Sequence, residues 1–184
     1  MPSFIEALEP PYSSAVAAEL SSLMGGNDRE PLLLFRTLVC HLPLTKAWGT
    51  LGAHNLGRGA LTMRDRELVI LRTCFLGGCE YEWGVHIRIF AGAAGFSSEQ
   101  QMATGRPDVS AGDWSVHDFD VLRFAEELHA HSRISEELRA GLRAAWDDAQ
   151  FLEACEIAGF YHGVAYMANV AEVPLESWGA RFPN

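Results

Sequence analysis

Four residues of this chain have the types and spacing to do chemistry: Glu67, Cys79, Glu82 and His86. Cys79, Glu82 and His86 stand at i, i+3 and i+7, so a helix through them turns all three to one face. That face continues into Ile89, Phe90 and Ala93, which reads as the inward side of an amphipathic helix. Glu67 lies on the preceding stretch, on a stripe with Ile70, Leu71 and Cys74. A carboxylate on an apolar stripe is costly to bury unless paired. A thiol, an imidazole and two carboxylates meeting in an apolar cleft would form a site of tuned acids and bases.

Each member has a role open to it. Cys79 is expected in the first turn of its helix, where free N–H groups and the helix dipole favour thiolate. His86 can exchange a proton near neutral pH. Glu67 or Glu82 can orient that imidazole or act as the acid. Plainer readings stand beside these. Cys79 can be a small core residue, Glu82 and His86 a surface pair, and Glu67 a partner of Arg64 or Arg66. Three polar groups on one stripe that turns apolar favour the site. Arg72, His162 and Trp83 are the candidates for substrate binding, with Arg64, Arg66 and Arg88 as further cations near the site. His162 shares a stripe with Phe151, Cys155, Ala158 and Ala165, which also suits a packed core histidine. Glu67, Glu82 and His86 could take a divalent ion, but Glu-x-x-x-His is a common spacing and H-E-x-x-H is missing, so no metal and no cofactor is assigned.

The elements that must position these groups read as helices. Ser13 and Ser14 cap a first helix ending at Gly25-Gly26, and Asn27 or Asp28 opens a second around Pro31. A third follows Pro43 and fades at Gly57. Thr62 caps Met63–Leu76, Gly77-Gly78 stops it, and the next helix runs from Cys79 to Ala94, with Gly95 at positive φ. Short helices joined by two glycines pack as a hairpin, which carries Glu67 towards Cys79 and His86. Ser97–Gln100 is a capping box, residues 104–113 are a loop, and three helices follow over 115–131, 135–146 and 147–171. The tail after Pro174 is expected to wrap onto the body or a neighbour.

Composition sets the outer limits. With 184 residues, 48% hydrophobic and 21% charged, the chain has the make-up of one globular all-α domain over 1–184. A net charge of -10, from 24 acidic and 14 basic side chains, disfavours nucleic acid and anionic membranes as partners. No apolar run is long enough for a membrane span, and MPSFIEALEPPYSS lacks the pattern of a secretory signal, so a cytoplasmic location is expected. Cys40, Cys74, Cys79 and Cys155 form neither a C-x-x-C pair nor a disulfide framework.

The stretch Leu61-Thr62-Met63-Arg64-Asp65-Arg66-Glu67-Leu68-Val69-Ile70-Leu71-Arg72, followed by Cys79-Glu80-Tyr81-Glu82-Trp83-Gly84-Val85-His86, resembles the carboxymuconolactone decarboxylase family, which includes the alkylhydroperoxidase D-like (AhpD-like) proteins. The resemblance is best over residues 30–100 and looser in the last helix. It implies an AhpD-like helical bundle and a homo-oligomer, whether dimer, trimer or hexamer. In the peroxidase branch a Glu, a C-x-x-C and a His fall where this chain has Glu67, Cys79 and His86, but Glu82 stands in place of the second cysteine. Two-cysteine peroxidation needs that resolving thiol. The decarboxylase branch implies cofactor-free loss of CO2, or a double-bond shift, in a small oxygenated acid or lactone. There His86 would donate the proton, Glu67 and Glu82 would set its state, and Tyr81 would donate to an oxyanion. The alternatives are a hydroperoxide reductase using Cys79 and a non-catalytic oligomeric binding module.

Overall fold

The computed structural model describes residues 3–27 and 29–183. Among the described residues there are nine α-helices, two single 3-10 turns and no strand, an all-α architecture. The helices are α1 (Ser14–Leu23), α2 (Leu33–Leu38), α3 (Leu42–Gly57), α4 (Met63–Leu76), α5 (Glu80–Ile89), α6 (Ser98–Thr104), α7 (Val116–His131), α8 (Glu136–Arg143) and α9 (Asp148–Ala171). None of them is long and apolar enough to cross a membrane.

Local chemistry sets most of the starts. Ser13, Thr62, Ser97, Ser115, Ser135 and Asp147 each accept a hydrogen bond from the backbone N–H three residues on. Each such cap contributes about 1 kcal/mol. Ser97 and Asp147 complete capping boxes with Gln100 and Gln150. The second helix departs from expectation. Asp28 lies outside the described residues, Asn27 is not helical, and α2 starts only at Leu33. Pro31 drives the residue before it out of the helical region, and Leu32 is still extended at ψ 144.

The core is built around α4, which packs on α7, α9 and α5. Every residue from Asp65 to Cys74 is buried, so this helix is enclosed on all sides rather than along one stripe. That enclosure forces its charged residues to find partners inside the protein. At its end Gly77 closes the helix and Gly78 takes φ +62, which turns the chain into α5.

The helix α5 is shorter than expected, and part of its expected inward face is corrected. Phe90 N–H and Ala91 N–H both reach the His86 carbonyl, at 2.9 and 3.3 Å, and the helix stops at Ile89. Ile89 and Ala93 are therefore exposed, while Ala91 and Ala94 turn inward. Gly95 has the positive φ the sequence asks for, +75. The tail packs on α5 of its own chain. Ala180 N–H donates to Gly84 O at 3.1 Å, and a Cβ at position 84 would lie 2.2 Å from the Ala180 carbonyl oxygen. Only glycine permits that approach. Phe182 fills in against Phe75 and Trp83.

Candidate active site

The hairpin α4–α5 brings Glu67 onto His86. Glu67 Oε2 lies 2.7 Å from His86 Nδ1. Its other oxygen, Oε1, accepts from Arg66 Nε at 2.9 Å. Arg66 in turn donates to the Leu56 carbonyl at 2.8 Å and lies over the Phe90 ring. Glu67 is 0% exposed and His86 2%, so this is a buried charge pair rather than a surface one. On the far side of the imidazole, His86 Nε2 lies 3.4 Å from Glu82 Oε1. That separation is long for a strong hydrogen bond and leaves the Nε2 proton available to another acceptor. Glu82 is 9% exposed, and its Oε2 is buried with no hydrogen-bond partner.

These contacts set the proton on His86. Burial works against the cation, but the charge and hydrogen bond of Glu67, followed by those of Glu82, outweigh it and raise the imidazole to about 9. At neutral pH the group is an imidazolium. Arg66, Glu67, His86 and Glu82 then form an alternating row of opposite charges.

Cys79 corrects the sequence expectation of a thiolate. It is the N-cap of α5 and is 0% exposed. Burial is the largest influence on it. The amides of Tyr81 and Glu82 pull the other way, Glu82's charge adds to the rise, and the thiol is pushed up to about 12. Removal from water outweighs the dipole of the helix start. Cys74 is also buried, and its thiol is raised by burial and by Cys79 and the two carboxylates. All four cysteines are free.

Four other expectations are corrected. Tyr81 does not offer its hydroxyl to an oxyanion: it donates to Glu176 Oε1 at 2.7 Å and accepts from Leu34 N–H at 3.0 Å. Arg72 is 2% exposed and bonds to Glu126 and the carbonyls of Thr104, Arg106 and Pro107, anchoring the loop after α6. Its chemistry is spent on structure. Trp83 is buried, donates to Thr104 Oγ1 at 3.0 Å and packs on the tail. His162 sits 3.0 Å from His129 through Nε2 and lines neither cavity beside the site. Among the other arginines, Arg64 is held by Asp118 and by the carbonyls of Ala94 and Gly95, whereas Arg88 lines the cleft that contains His86.

Tyr161 belongs to the site and escaped the sequence reading. Its ring meets His86 edge-on, with centroids 5.1 Å apart, and burial pushes its phenol well above the ordinary value. The signal was available: Ala154, Ile157, Ala158, Tyr161, Val164, Ala165, Ala168 and Ala171 follow helical spacing on α9 and are the residues it buries. Choosing the neighbouring stripe through His162 missed it. Among the described residues, no group of three or more His, Cys, Asp or Glu side chains is placed to hold a metal ion.

Comparison with known proteins adds a family and a fold. The profile of the carboxymuconolactone decarboxylase family matches residues 43–127, a stretch that contains Glu67, Cys79, Glu82 and His86. Among curated proteins none matches the sequence. The fold is similar to that of an uncharacterized peroxidase-related protein from Silicibacter sp. TM1040, at TM-score 0.79 and 15% identity, over 96% of this chain and 94% of that one. It is similar to the alkylhydroperoxidase AhpD core of a peroxidase-related protein from Ralstonia eutropha JMP134, at TM-score 0.74 and 18% identity, over 94% and 93%. The apo debrominase Bmp8 is similar as well, at TM-score 0.73 and 13% identity, over 95% and 92%. At such identities the likeness is one of fold.

Proposed function

We propose that the protein, whose residues 43–127 match the profile of the carboxymuconolactone decarboxylase family, is a cofactor-free acid–base enzyme of the lyase or isomerase kind, acting on a small oxygenated carboxylic acid or lactone. The observation that carries this reading is the row Glu67–His86–Glu82. It holds a protonated imidazole by Nδ1 and sets Nε2 near Glu82, whose other oxygen has no partner, and both His86 and Glu82 line the cleft.

The chemistry follows from those atoms. In decarboxylation the C–C bond to the substrate carboxylate breaks, CO2 leaves, and the electron pair enters a conjugated carbonyl as an enolate. His86 Nε2–H delivers a proton to carbon, and solvent restores it. Glu67 fixes the ring through Nδ1 and keeps the imidazolium charged until the enolate forms. In a double-bond shift Glu82 takes the proton from carbon and His86 returns one at the conjugated position. Desolvation strengthens the contact of Glu67 with His86, since Glu67 is fully buried and His86 is nearly so where it lines the cleft.

A redox reading finds little to work with. A thiol pushed up to about 12 is almost wholly protonated at neutral pH and a poor nucleophile. The test uses a panel of lactone acids and unsaturated oxo acids in D2O, followed by NMR for deuterium entering carbon and by infrared for CO2. The wild type should turn over at least one member. His86→Gln and Glu82→Gln should each slow it by about a hundredfold or more, the usual worth of a general acid or base. Cys79→Ser should leave it within a few fold. Peroxide consumption that Cys79→Ser abolishes, with no acid–base turnover, would overturn the reading in favour of a thiol peroxidase. Ligand binding without turnover of any kind would make the cleft a binding module.

A further inference from the structure

Glu82 stands between two cavities, and the smaller one bears on what the substrate must carry. The outer cleft, about 990 Å³, is lined by His86, Arg88 and Glu82. Behind Glu82 lies a hollow of about 150 Å³, walled by Leu34, Leu38, Trp48, Phe160 and Val164. Trp48 stacks on Phe160 with ring centroids 4.6 Å apart, which gives the hollow one flat aromatic wall. On the α3 side Gly49, Gly52 and Ala53 present nothing larger than a methyl group. An apolar cavity of about this volume is the size that admits a benzene molecule.

Polar groups at the hollow are few. Thr45 is already committed, donating to the Leu38 and His41 carbonyls. Tyr161 brings an aromatic edge and a phenol. Glu82 lines both cavities, and its Oε2 is buried and lacks a hydrogen-bond donor. A buried carboxylate oxygen left without a donor is destabilising, and a bound molecule that supplies one relieves that cost.

The geometry points to a substrate with a benzene-sized ring bearing an O–H or N–H group, the ring filling the hollow and the donor bonding Glu82 Oε2. The rest of that molecule reaches into the outer cleft. There its acid group meets Arg88, for which no ion pair is found among the described residues, and its reacting carbon meets His86. This rests on the acid–base reading above for the identity of the occupant as substrate. The hollow and the unpartnered oxygen stand without that reading.

Binding is therefore measured apart from turnover. Phenol and toluene are titrated by ligand-observed NMR against wild type, Ala53→Trp, Glu82→Gln and His86→Gln, with circular dichroism on each. Phenol should bind wild type about tenfold more tightly than toluene, the worth of one hydrogen bond to a charged group. Glu82→Gln should bring that preference below about threefold, since the acceptor loses its charge. Ala53→Trp, on the exposed side of α3, should abolish binding of both. Ala53→Phe serves if the larger ring does not fold. His86→Gln removes the cation beside Glu82 but not the acceptor itself, so phenol should stay preferred over toluene by more than about threefold. Phenol binding with no turnover of any acid keeps the site and removes only the acid–base reading. Turnover of non-aromatic acids together with no phenol binding overturns this inference and leaves the other standing. Equal binding of phenol and toluene overturns it as well. So does a dilution-dependent elution volume that Ala53→Trp shifts while phenol fails to bind, which would assign the hollow to a second copy of the chain.

Discussion

Glu67→Gln is the perturbation that separates the electrostatic account of the site from one of simple packing. The substitution keeps the shape and removes the charge. In the native protein burial opposes the His86 cation, yet the charge and hydrogen bond of Glu67, with help from Glu82, raise it from 6.5 to about 9. A folded pKa above the unfolded one means that the native state binds the proton more tightly. The stabilisation is therefore complete below pH 6.5, declines between 6.5 and about 9, and is gone above that range. A rise of this size corresponds to about 3 kcal/mol, at 1.4 kcal/mol per unit. In Glu67→Gln the opposing effect of burial remains while its main counterweight is lost, so the midpoint should fall to 6.5 or below. Arg66 also loses its carboxylate, so the variant should be about 3–5 kcal/mol less stable than wild type at pH 6. His117 is also raised, by its hydrogen bond to Asp65, so the comparison is best made in a His117→Asn background. The assay is an NMR titration of the His86 ring together with urea unfolding at pH 6 and pH 9.5. A wild-type His86 midpoint below 7, or an identical loss of stability across that range in Glu67→Gln, would refute the reasoning.

Three further outcomes follow from the same contacts. With a thiol reagent at pH 7.5, Cys40 and Cys155, both exposed, should react in the native protein, while Cys74 and Cys79 should stay protected until it unfolds, as read by peptide mass spectrometry. Arg72→Met should cost about 3 kcal/mol in urea unfolding, because Glu126 and three carbonyls lose their donor, and should leave the His86 titration unmoved. Asp65→Asn should cost about 1–3 kcal/mol at pH 7. In wild type, burial pushes the Asp65 carboxyl up, but bonds from His117 and Trp146 hold it below 3.8, so this stabilisation is present above 3.8 and lost as the pH falls further. The variant should show a shallower acid limb in a thermal-melt pH series.

Much of the scaffold was legible because local signals and tertiary structure agree. Thr62, Ser97, Ser115 and Asp147 cap helices at the positions their side chains favour, and Gly78 and Gly95 take the positive φ that glycine allows. The contact of Glu67 with His86 was legible for a similar reason, since two helices joined by a diglycine have few ways to pack. What spacing does not reveal is the competition for each polar group. Arg72 and Arg66 are six residues apart on one buried helix, yet one is drawn to Glu126 and a loop and the other to Glu67. Tyr81 reads like a free phenol until Glu176, far along the chain, arrives to accept its hydrogen bond. The end of α5 was misplaced because a carbonyl that accepts two amides at once leaves no trace in hydropathy.

Under the proposed acid–base reading, Glu82 is the residue that turns this site from electrons to protons. By resemblance, its position in the peroxidase pattern holds a second cysteine, which would close a disulfide with the first. A carboxylate there cannot resolve a sulfenic acid, and it also acts on the groups around it. Its charge adds to the burial that pushes Cys79 up to about 12, which leaves roughly one thiol in 10⁵ ionised at neutral pH. The same charge assists Glu67 in holding His86 protonated. Thiolate and imidazolium respond in opposite senses to one added negative charge, the first suppressed and the second favoured. A single residue type at one helix position therefore depletes the thiolate and keeps the imidazole in its proton-bearing form. Restoring the cysteine should reverse both effects. Glu82→Cys should lower the Cys79 pKa as followed by the pH dependence of thiol alkylation, and it should lower the His86 midpoint by NMR. A variant in which neither moves would mean that burial alone governs the pair and that Glu82 has no electrostatic part in it.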